Sequence, residues 1–286
     1  MFVIVGWVVV MGSIFGGYVM AGGHLGGLWQ PLEVVMIGGG AVGAFIAANS
    51  SHALKHTVSA LGGCFKGSKF NQAYYMNLLG LLFELLAKVR KEGLMSLEND
   101  VEEPEKSPIF SKYPDILADH HLTEFITDYL RLMVGGNLNA MEIENLMDNE
   151  IEVHHHEEMH PSHAVAKLAD ATPAFGIVAA VMGVVHTMES LHLPPAELGV
   201  LIGHALVGTF LGILISYGFF APLVSVLESK ASEAGKPFHV AKVVLLASLN
   251  GFAPQVCVEF GRKVLFSTER PSFRELEEDI KSRKGK

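Results

Sequence analysis

Residues 170–183, DATPAFGIVAAVMG, carry the pattern with the clearest functional meaning in the chain. At helical spacing, Pro173, Gly176, Ala180 and Gly183 fall on one face of this stretch. A face made of such small residues lets another backbone approach closely in lipid. We therefore predict that this face lines a narrow space for a partner helix, which supplies an ionisable group at membrane depth.

The apolar segments around this stretch contain few groups that could hold an ion or relay a proton. No Asp, Glu, Lys or Arg occurs in residues 171–188. The polar residues of the last two apolar segments are Thr172, His186, Thr187, His204, Thr209, Ser216 and Tyr217. Thr209 falls near the middle of its segment, and Gly212 and Ser216 follow on its face. Because ion paths need titratable groups or oxygen ligands, either no ion crosses here or a partner brings the carboxylate.

Simpler explanations exist for the same residues. Glycines spaced four apart usually serve helix packing alone, and His204 fits a buried packing histidine. Pro173 and Pro222 flank the last two apolar segments on one side, where a proline usually kinks or caps a helix. Since both prolines fall near the same membrane level, they also fit a hinge.

Four apolar stretches are long enough to cross a bilayer, whose core requires about 20 helical residues. They cover residues 2–21, 32–49, 171–188 and 198–226. The first two form one transmembrane hairpin within segment 1–51, and the last two form another within segment 170–228. None of the four has a carboxylate away from its ends, and Glu33 is expected at the water boundary of the second.

The remaining two segments are too polar for lipid. Residues 50–169 contain 10 Lys or Arg and 18 Asp or Glu, and this density of charge excludes the bilayer core. Helical periodicity covers residues 71–94, 119–133 and 140–154, and an amphipathic stretch at 240–265 is interrupted near Pro254. We predict an all-α, polytopic membrane protein with a helical cytoplasmic domain at 52–169 and with cytoplasmic C-terminal helices and a tail at 229–286.

The cations indicate the orientation of the chain. All 21 Lys and Arg lie in residues 55–167 or 230–286, and the short loops at 22–33 and 189–197 contain none. Positive side chains accumulate on the cytoplasmic side of membrane proteins. We therefore predict that both short loops lie outside and that both polar regions and both termini are cytoplasmic.

Composition and motifs argue against several classes of protein. The net charge is −9, whereas binding to nucleic acid needs clustered Lys and Arg. We find no P-loop, no nucleotide motif and no credible catalytic triad, so we expect neither enzyme activity nor a cofactor. Cys64 and Cys257 belong to no CxxC pair and predict no disulfide framework.

A histidine-rich tract at 153–163, VHHHEEMHPSH, has spacing that could bind a metal. His156 and His160 are four residues apart, and His163 follows three residues later, an arrangement that can hold Zn²⁺. The tract is not HExxH, and no cysteine is nearby. We favour a solvated helix surface with mild pH sensitivity and predict no metal site.

Three long stretches carry a family resemblance. They read DATPAFGIVAAVMGVV, AELGVLIGHALVGTFLGILISYGFFAPL and LNGFAPQVCVEFGRKVLFSTERPSF. They resemble the MotA family, the membrane subunits of bacterial flagellar motor stators, and the resemblance extends over essentially the whole chain. ExbB and TolQ energisers of outer-membrane transport belong to the wider family, but they have three spans and lack the N-terminal hairpin. A membrane scaffold without ion flux is the remaining alternative.

The resemblance implies partners and a task. Members of the family form a ring, expected to be a pentamer, around a dimer of the single-span subunit MotB. The transmembrane Asp of MotB carries the proton, and its periplasmic domain grips peptidoglycan. The chain is therefore expected in the bacterial inner membrane, among its lipids, where it forms a proton channel with MotB and converts proton-motive force into torque.

The resemblance also implies roles for single residues. Pro173 matches the proline beside the partner's Asp, Pro222 matches one that couples protonation to movement, and Thr209 matches a pathway threonine. Sodium-driven relatives carry a second threonine where this chain has Ala180. Since a methyl group offers no oxygen to Na⁺, protons are favoured. Tyr217 is assigned to the inner end of the path.

For the polar domain, the resemblance implies contact with the rotor protein FliG. The family uses a cation and an anion eight residues apart, which here are Arg90 and Glu98. Taken alone, these are ordinary solvated charges. Exposed ion pairs contribute on the order of 1 kcal/mol or less, so such contacts can form and break repeatedly. Glu150 and Asp170 are expected to assist the inner mouth of the path.

Overall fold

The computed structural model describes residues 2–136 and 139–284, which fold into helices and turns without a β-strand. The α-helices are α1 (Phe2–Met20), α2 (Pro31–Ala48), α3 (Ser51–Gly63), α4 (Gln72–Glu92), α5 (Glu98–Glu102), α6 (Pro114–Leu117), α7 (His120–Gly135), α8 (Ala140–Glu189), α9 (Pro195–Ile215), α10 (Ala221–Leu249), α11 (Pro254–Val264) and α12 (Phe273–Lys284). Short 3₁₀ turns cover Leu25–Leu28, Leu94–Leu97, Pro104–Lys106 and Phe110–Lys112, and a π-helix covers Ser216–Phe220. The predicted all-α class is confirmed for these residues.

Within the described ranges, four stretches of helix are long and apolar enough to cross a membrane. They are Phe2–Met20, Leu25–Ala48, Ala140–Glu189 and Pro195–Leu249. The predicted spans fall on these four stretches in the same order. Length and composition therefore confirm four membrane-crossing segments.

The third predicted span, residues 171–188, is not a separate helix. α8 runs for 50 residues from Ala140 to Glu189, with Pro161 and Pro173 inside it. The membrane-crossing stretch predicted at 171–188 and the helical periodicity predicted at 140–154 thus lie on one continuous helix. A proline lacks a main-chain N–H and crowds the preceding turn, but here the helix continues through both prolines.

The fourth predicted span, residues 198–226, also continues beyond its expected end. α9 passes through the π-helix into α10, which ends only at Leu249. Gly251, with φ at 82°, then turns the chain, and α11 begins at Pro254. The interruption expected near Pro254 is confirmed. The end of an apolar run does not end a helix, because polar residues after it keep the same backbone hydrogen bonds.

The described residues form two compact units. The first contains residues 2–67 and 159–230, and the second contains residues 68–136, 139–158 and 231–284. The first unit includes α3, which the sequence assigned to the polar domain at 52–169. Cys64, just after α3, is 4% exposed and packs in one apolar cluster with Val165 and Leu223. That cluster explains why α3 belongs with the apolar helices.

The core of the second unit is built around α4. Asn71 caps the start of this helix by accepting a hydrogen bond from the main-chain N–H of Tyr74 at 3.0 Å, and Gly93, with φ at 86°, ends it. The helical periodicity predicted for residues 71–94 is confirmed, and its apolar stripe faces the core, because Leu78, Leu82, Leu85 and Leu86 are all buried. Around α4, residues of α7, α8, α10 and α11 complete one apolar core.

An ion pair in α11 fixes the C-terminal part of the second unit. The Arg262 side chain is 8% exposed and donates two hydrogen bonds of 2.6 Å to the Glu259 carboxylate. A third bond of 2.9 Å runs from Arg262 Nη1 to the carbonyl oxygen of Pro271. The hydrogen bonds from Arg262 lower the pKa of Glu259 below its ordinary value of 4.5.

Changing Glu259 to Gln should destabilise the second unit by about 2 kcal/mol. Removing one partner from a buried ion pair costs about 3–5 kcal/mol, and we halve this value because a quarter of the Glu259 side chain is exposed. Thermal unfolding of the purified chain, followed by circular dichroism, should show a melting temperature lower by roughly 5 °C. E278Q, which loses an exposed pair with Arg274, is the matched control and should melt like the wild type.

The same ion pair makes the stability of the second unit depend on pH. Because the pKa of Glu259 is lower in the folded chain than in the unfolded chain, its contribution is complete above the unfolded value and is lost as the pH falls through the folded value. The difference in melting temperature between wild type and E259Q should therefore shrink in acid. A difference that is absent at pH 7, or that grows in acid, would contradict this assignment.

Candidate functional site

The small residues of α8 meet small residues of α9 at very short range. A methyl group placed on Gly176 would lie 2.8 Å from the carbonyl oxygen of Gly208 and 3.1 Å from Cα of Gly212. One placed on Gly183 would lie 2.7 Å from Cβ of Ala205. These contacts involve backbone and Cβ atoms, which cannot rotate away. We call this contact the α8–α9 seam; it consists of Thr172, Pro173, Gly176, Ala179, Ala180 and Gly183 on α8, and of Ala205, Gly208 and Gly212 on α9.

The seam corrects the first prediction from the sequence. Pro173 and Ala180 also face α9: a methyl group on Gly212 would lie 3.3 Å from Cα of Pro173, and one on Gly208 would lie 3.2 Å from the Ala180 nitrogen. At Gly176 and Gly183 this face is closed by a helix of the same chain, whereas Pro173 and Ala180 remain partly exposed. Helical periodicity identifies a close-packing face, but it does not say which helix packs there.

Thr209 differs from the other threonines of α8 and α9. The hydroxyls of Thr172 and Thr187 are buried and donate to main-chain carbonyl oxygens four residues earlier, at 2.7 and 2.9 Å. Thr209 follows the seam residue Gly208 and is only partly buried. Its hydroxyl makes no hydrogen bond to any residue that the structure describes. This hydroxyl is therefore available to a group outside the chain.

Tyr217 and Pro222 lie in and just after a widened turn. The π-helix Ser216–Phe220 ends with Ala221, whose N–H bonds to the carbonyl oxygen of Ser216, five residues back. The Tyr217 side chain is 70% exposed, and Pro222 is exposed as well. A π turn followed by a proline weakens the hydrogen-bond ladder twice within one stretch. The sequence indicated a possible hinge at Pro222, but no feature of it indicated the π turn.

Glu33 is a buried acid that the sequence placed at the water boundary. Its side chain is on α2, and the residue is only 8% exposed. Its Oε2 is fully buried, lies 2.6 Å from the position of a methyl group on Gly208, and has no hydrogen-bond partner among the described residues. The position of Glu33 near the start of its own helix gave no sign of this burial against a neighbouring helix. Gly208 lies well inside α9.

Arg90 and Glu98 are both exposed in the second unit. Arg90 is in the last turn of α4, and Glu98 begins α5. Neither forms an ion pair with a described residue. Between them, the positive φ of Gly93 reverses the chain, and Leu97 is completely buried. Both charged groups are thus displayed on a fixed backbone and are available to a partner.

A buried network holds the backbone beside Glu98. Asp100 is 2% exposed and accepts hydrogen bonds from Lys88 Nζ at 2.6 Å and from Ser107 Oγ at 2.5 Å. This network connects α4, α5 and the turn at Ser107. It fixes α5, and therefore Glu98, against the helix that carries Arg90.

The other polar residues singled out in the sequence are distributed over the surface. Glu150 accepts a hydrogen bond of 2.7 Å from the Tyr129 hydroxyl, and Asp170 is exposed. Within the histidine tract, the ring of His154 packs 4.3 Å from that of Phe238, whereas His156, His160 and His163 are exposed. Among the described residues, no group of three or more His, Cys, Asp or Glu side chains could hold a metal.

Two family models match the sequence. Residues 4–93 match the model described as Motility protein A N-terminal. Residues 117–238 match the model of the MotA/TolQ/ExbB proton channel family. The second match includes the α8–α9 seam, the π-helix and both flanking prolines. The first includes α1, α2 and the helix that carries Arg90.

Similar proteins extend over almost the full length of the chain. Motility protein A of Salmonella typhimurium (strain LT2) is 54% identical over 282 residues, which are 99% of this chain and 96% of that protein. Among solved structures, MotAB of C. jejuni has a TM-score of 0.75 at 21% identity, covering 94% of this chain and 98% of that one. The flagellar MotAB stator complex of Bacillus subtilis has a TM-score of 0.70 at 23% identity, covering 96% and 97%. The chain belongs to the MotA/TolQ/ExbB proton channel family.

Proposed function

We propose that this protein is a stator subunit of the bacterial flagellar motor. In the inner membrane it forms a proton channel with a MotB-type subunit and converts proton-motive force into torque on the rotor. The match of residues 4–93 to the Motility protein A N-terminal model favours this function over that of an ExbB or TolQ energiser. The Salmonella typhimurium relative, matched over nearly its whole length, supports the same assignment.

The observation that carries this proposal is the α8–α9 seam with Thr209 beside it. The seam joins two helices into one rigid surface, because backbone atoms meet backbone atoms across it. Next to that surface, Thr209 offers a hydroxyl that no described residue of the chain uses. A single-span partner helix lying along this surface would place its carboxylate beside the hydroxyl. The partner's acid would then carry the proton, as the scarcity of acids in these helices requires.

Ala180 supports protons as the transported ion. It is partly buried in the seam, and its nitrogen lies 3.2 Å from the position of a methyl group on Gly208. A methyl side chain supplies no oxygen ligand, and a dehydrated Na⁺ ion needs several such ligands. A proton needs only a titratable group and water.

The two prolines and the π-helix form the coupling device in this proposal. Protonation of the partner's acid removes a charge near Pro173, which changes the electrostatic attraction between the partner and α8. The helix beyond α9 can bend at the π turn and at Pro222, where the hydrogen-bond ladder is weakest. Tyr217, exposed on that turn, would follow the movement at the inner end of the path.

The second unit would transmit the movement to the rotor. We place this unit and both termini in the cytoplasm, on the basis of the cation-free short loops. Arg90 and Glu98 would contact FliG, and several copies of the chain, five in our proposal, would surround a MotB dimer. The Bacillus subtilis structure is that of a flagellar MotAB stator complex, which supports a MotB-type partner.

Proton uptake should distinguish this function from that of a scaffold. The test uses a MotB-type partner from which the plug, the segment that keeps the channel closed, has been removed. Cells that express the chain with this partner should acidify internally when the external pH is lowered. Motility should stop with an uncoupler and persist when Na⁺ is removed. Loss of motility without Na⁺ would overturn the argument from Ala180, and an absence of proton uptake would overturn the channel itself.

A further inference from the structure

We propose that the carboxyl group of Glu33 is a proton-binding site on the outer part of the path. It would take up a proton from the external side and pass it towards the partner's acid. This inference rests on the proposed function and adds to it a titratable group that belongs to this chain. From the sequence alone, only the partner was expected to carry such a group.

The contacts of Glu33 place it at the seam. Its Oε2 lies against Gly208, at the point where α9 meets Ala179 and Ala180 of α8. A methyl group on Gly208 would collide with the carboxylate at 2.6 Å and would crowd Ala179 and Ala180 at 3.2 Å. Glycine at this position therefore leaves room for the acid. Thr209, with its available hydroxyl, is the next residue of α9.

The carboxyl group has unused capacity to bind a proton. Oε2 is fully buried and has no donor within the ranges that the structure describes, and the whole residue is 92% buried. An ionised carboxylate without a hydrogen-bond donor is costly to bury, so such a group either carries a proton or meets water. A group poised between these two states can take up and release protons.

The charges around Glu33 are few. His204, a titratable side chain, lies one turn before Gly208 on α9. The α8 residues at this contact, Ala179 and Ala180, are neutral. In the first step of the path, hydronium from the external loop side gives a proton to the Glu33 carboxylate and leaves water. The protonated acid then transfers this proton to the ionised carboxylate of the partner, which restores the Glu33 carboxylate without any change of oxidation state.

A packing role for Glu33 would require only the shape of its side chain, whereas proton binding requires the carboxyl group. Variants that separate shape from acidity therefore provide the test. E33Q keeps the size of glutamate but cannot bind a proton, whereas E33D keeps the acid on a shorter side chain. The matched control is E197Q, which neutralises an exposed acid in the first turn of α9. All four proteins would be purified with the partner subunit and reconstituted into liposomes that contain a pH-sensitive dye.

We expect E33Q to conduct protons at least about tenfold more slowly than wild type and to lose part of the dependence of the flux on external pH. E33D should retain measurable flux, and E197Q should match wild type. If E33Q conducts like wild type with the same pH profile, Glu33 is a packing residue and the inference is wrong. If wild type itself does not conduct, the proposed channel fails, which is a separate result.

A second measurement tests proton binding without requiring conduction. Infrared difference spectra of the purified chain should show a C=O stretching band of a protonated carboxylic acid whose intensity changes with pH. Because the other acids of the chain also contribute to this region, the Glu33 component is the part that wild type and E197Q share and that E33Q lacks. Identical spectra for wild type and E33Q across the pH range would overturn the inference whether or not the complex conducts.

Discussion

Replacing Gly212 with valine should abolish motility and lower the thermal stability of the chain. A single methyl group at this position would lie 3.0 Å from Cα of Gly176, 3.0 Å from the carbonyl oxygen of Thr172 and 3.3 Å from Cα of Pro173. All three are backbone atoms, so α9 would have to move away from α8. We expect the free energy of unfolding to fall by about 3 kcal/mol or more, which is at the upper end for overpacked sites.

The control for this variant is Gly203→Val, on the same helix. A methyl group on Gly203 would meet no atom of another described segment within 4 Å, so the purified G203V chain should melt like wild type. Melting of the purified chain in detergent, together with swimming speed in a strain that lacks its own stator subunit, would measure both effects. A G212V chain that melts and swims like wild type would show that the seam does not hold α8 and α9 together.

Reversing the charges of Arg90 and Glu98 together should stop rotation while leaving proton flow intact. Both side chains are exposed and make no ion pair with a described residue. The double variant R90E and E98K should therefore fold normally. Contacts with charges on the rotor would become repulsive, and we expect swimming speed to fall at least about tenfold because several such contacts act in each ring.

A charge exchange elsewhere in the second unit provides the comparison. Arg274 and Glu278 form an exposed pair at 2.7 Å in α12, and exchanging them as R274E with E278K keeps a pair in place. This variant should swim normally. Proton uptake through the complex without its plug should be equal in wild type and both exchanged variants. If the Arg90 and Glu98 variant loses proton uptake, these residues belong to the path and not to the rotor contact.

The sequence predicts the elements of this chain better than their contacts. Span length and the absence of charge located four membrane-crossing helices, because both properties are local. The apolar stripe of α4 was predictable for the same reason, since its leucines repeat at helical spacing. The limits of α8 were not predictable, because a proline inside a helix and a proline at its start share the same local pattern.

The candidate site was predicted only in part. The small face of α8 was identified correctly, but its neighbour was misassigned, because helical spacing carries no information about which helix packs there. Glu33 was overlooked as a buried acid, since its burial depends on Gly208, which is 175 residues away in the sequence. Arg90 and Glu98 could be proposed only through the family resemblance, as solvated charges have no distinguishing pattern of their own.

The π-helix at Ser216–Phe220 changes the direction in which the side chains of α10 point about the helix axis, relative to those of α9. A π turn holds about one residue more than an α turn, so every side chain after it is rotated by roughly a quarter to a third of a circle relative to an unbroken α-helix. A helical wheel drawn straight through residues 198–226 therefore misplaces Pro222 and all later positions. Deleting one residue from this turn would restore α geometry and rotate every side chain of α10 by that same angle relative to α9.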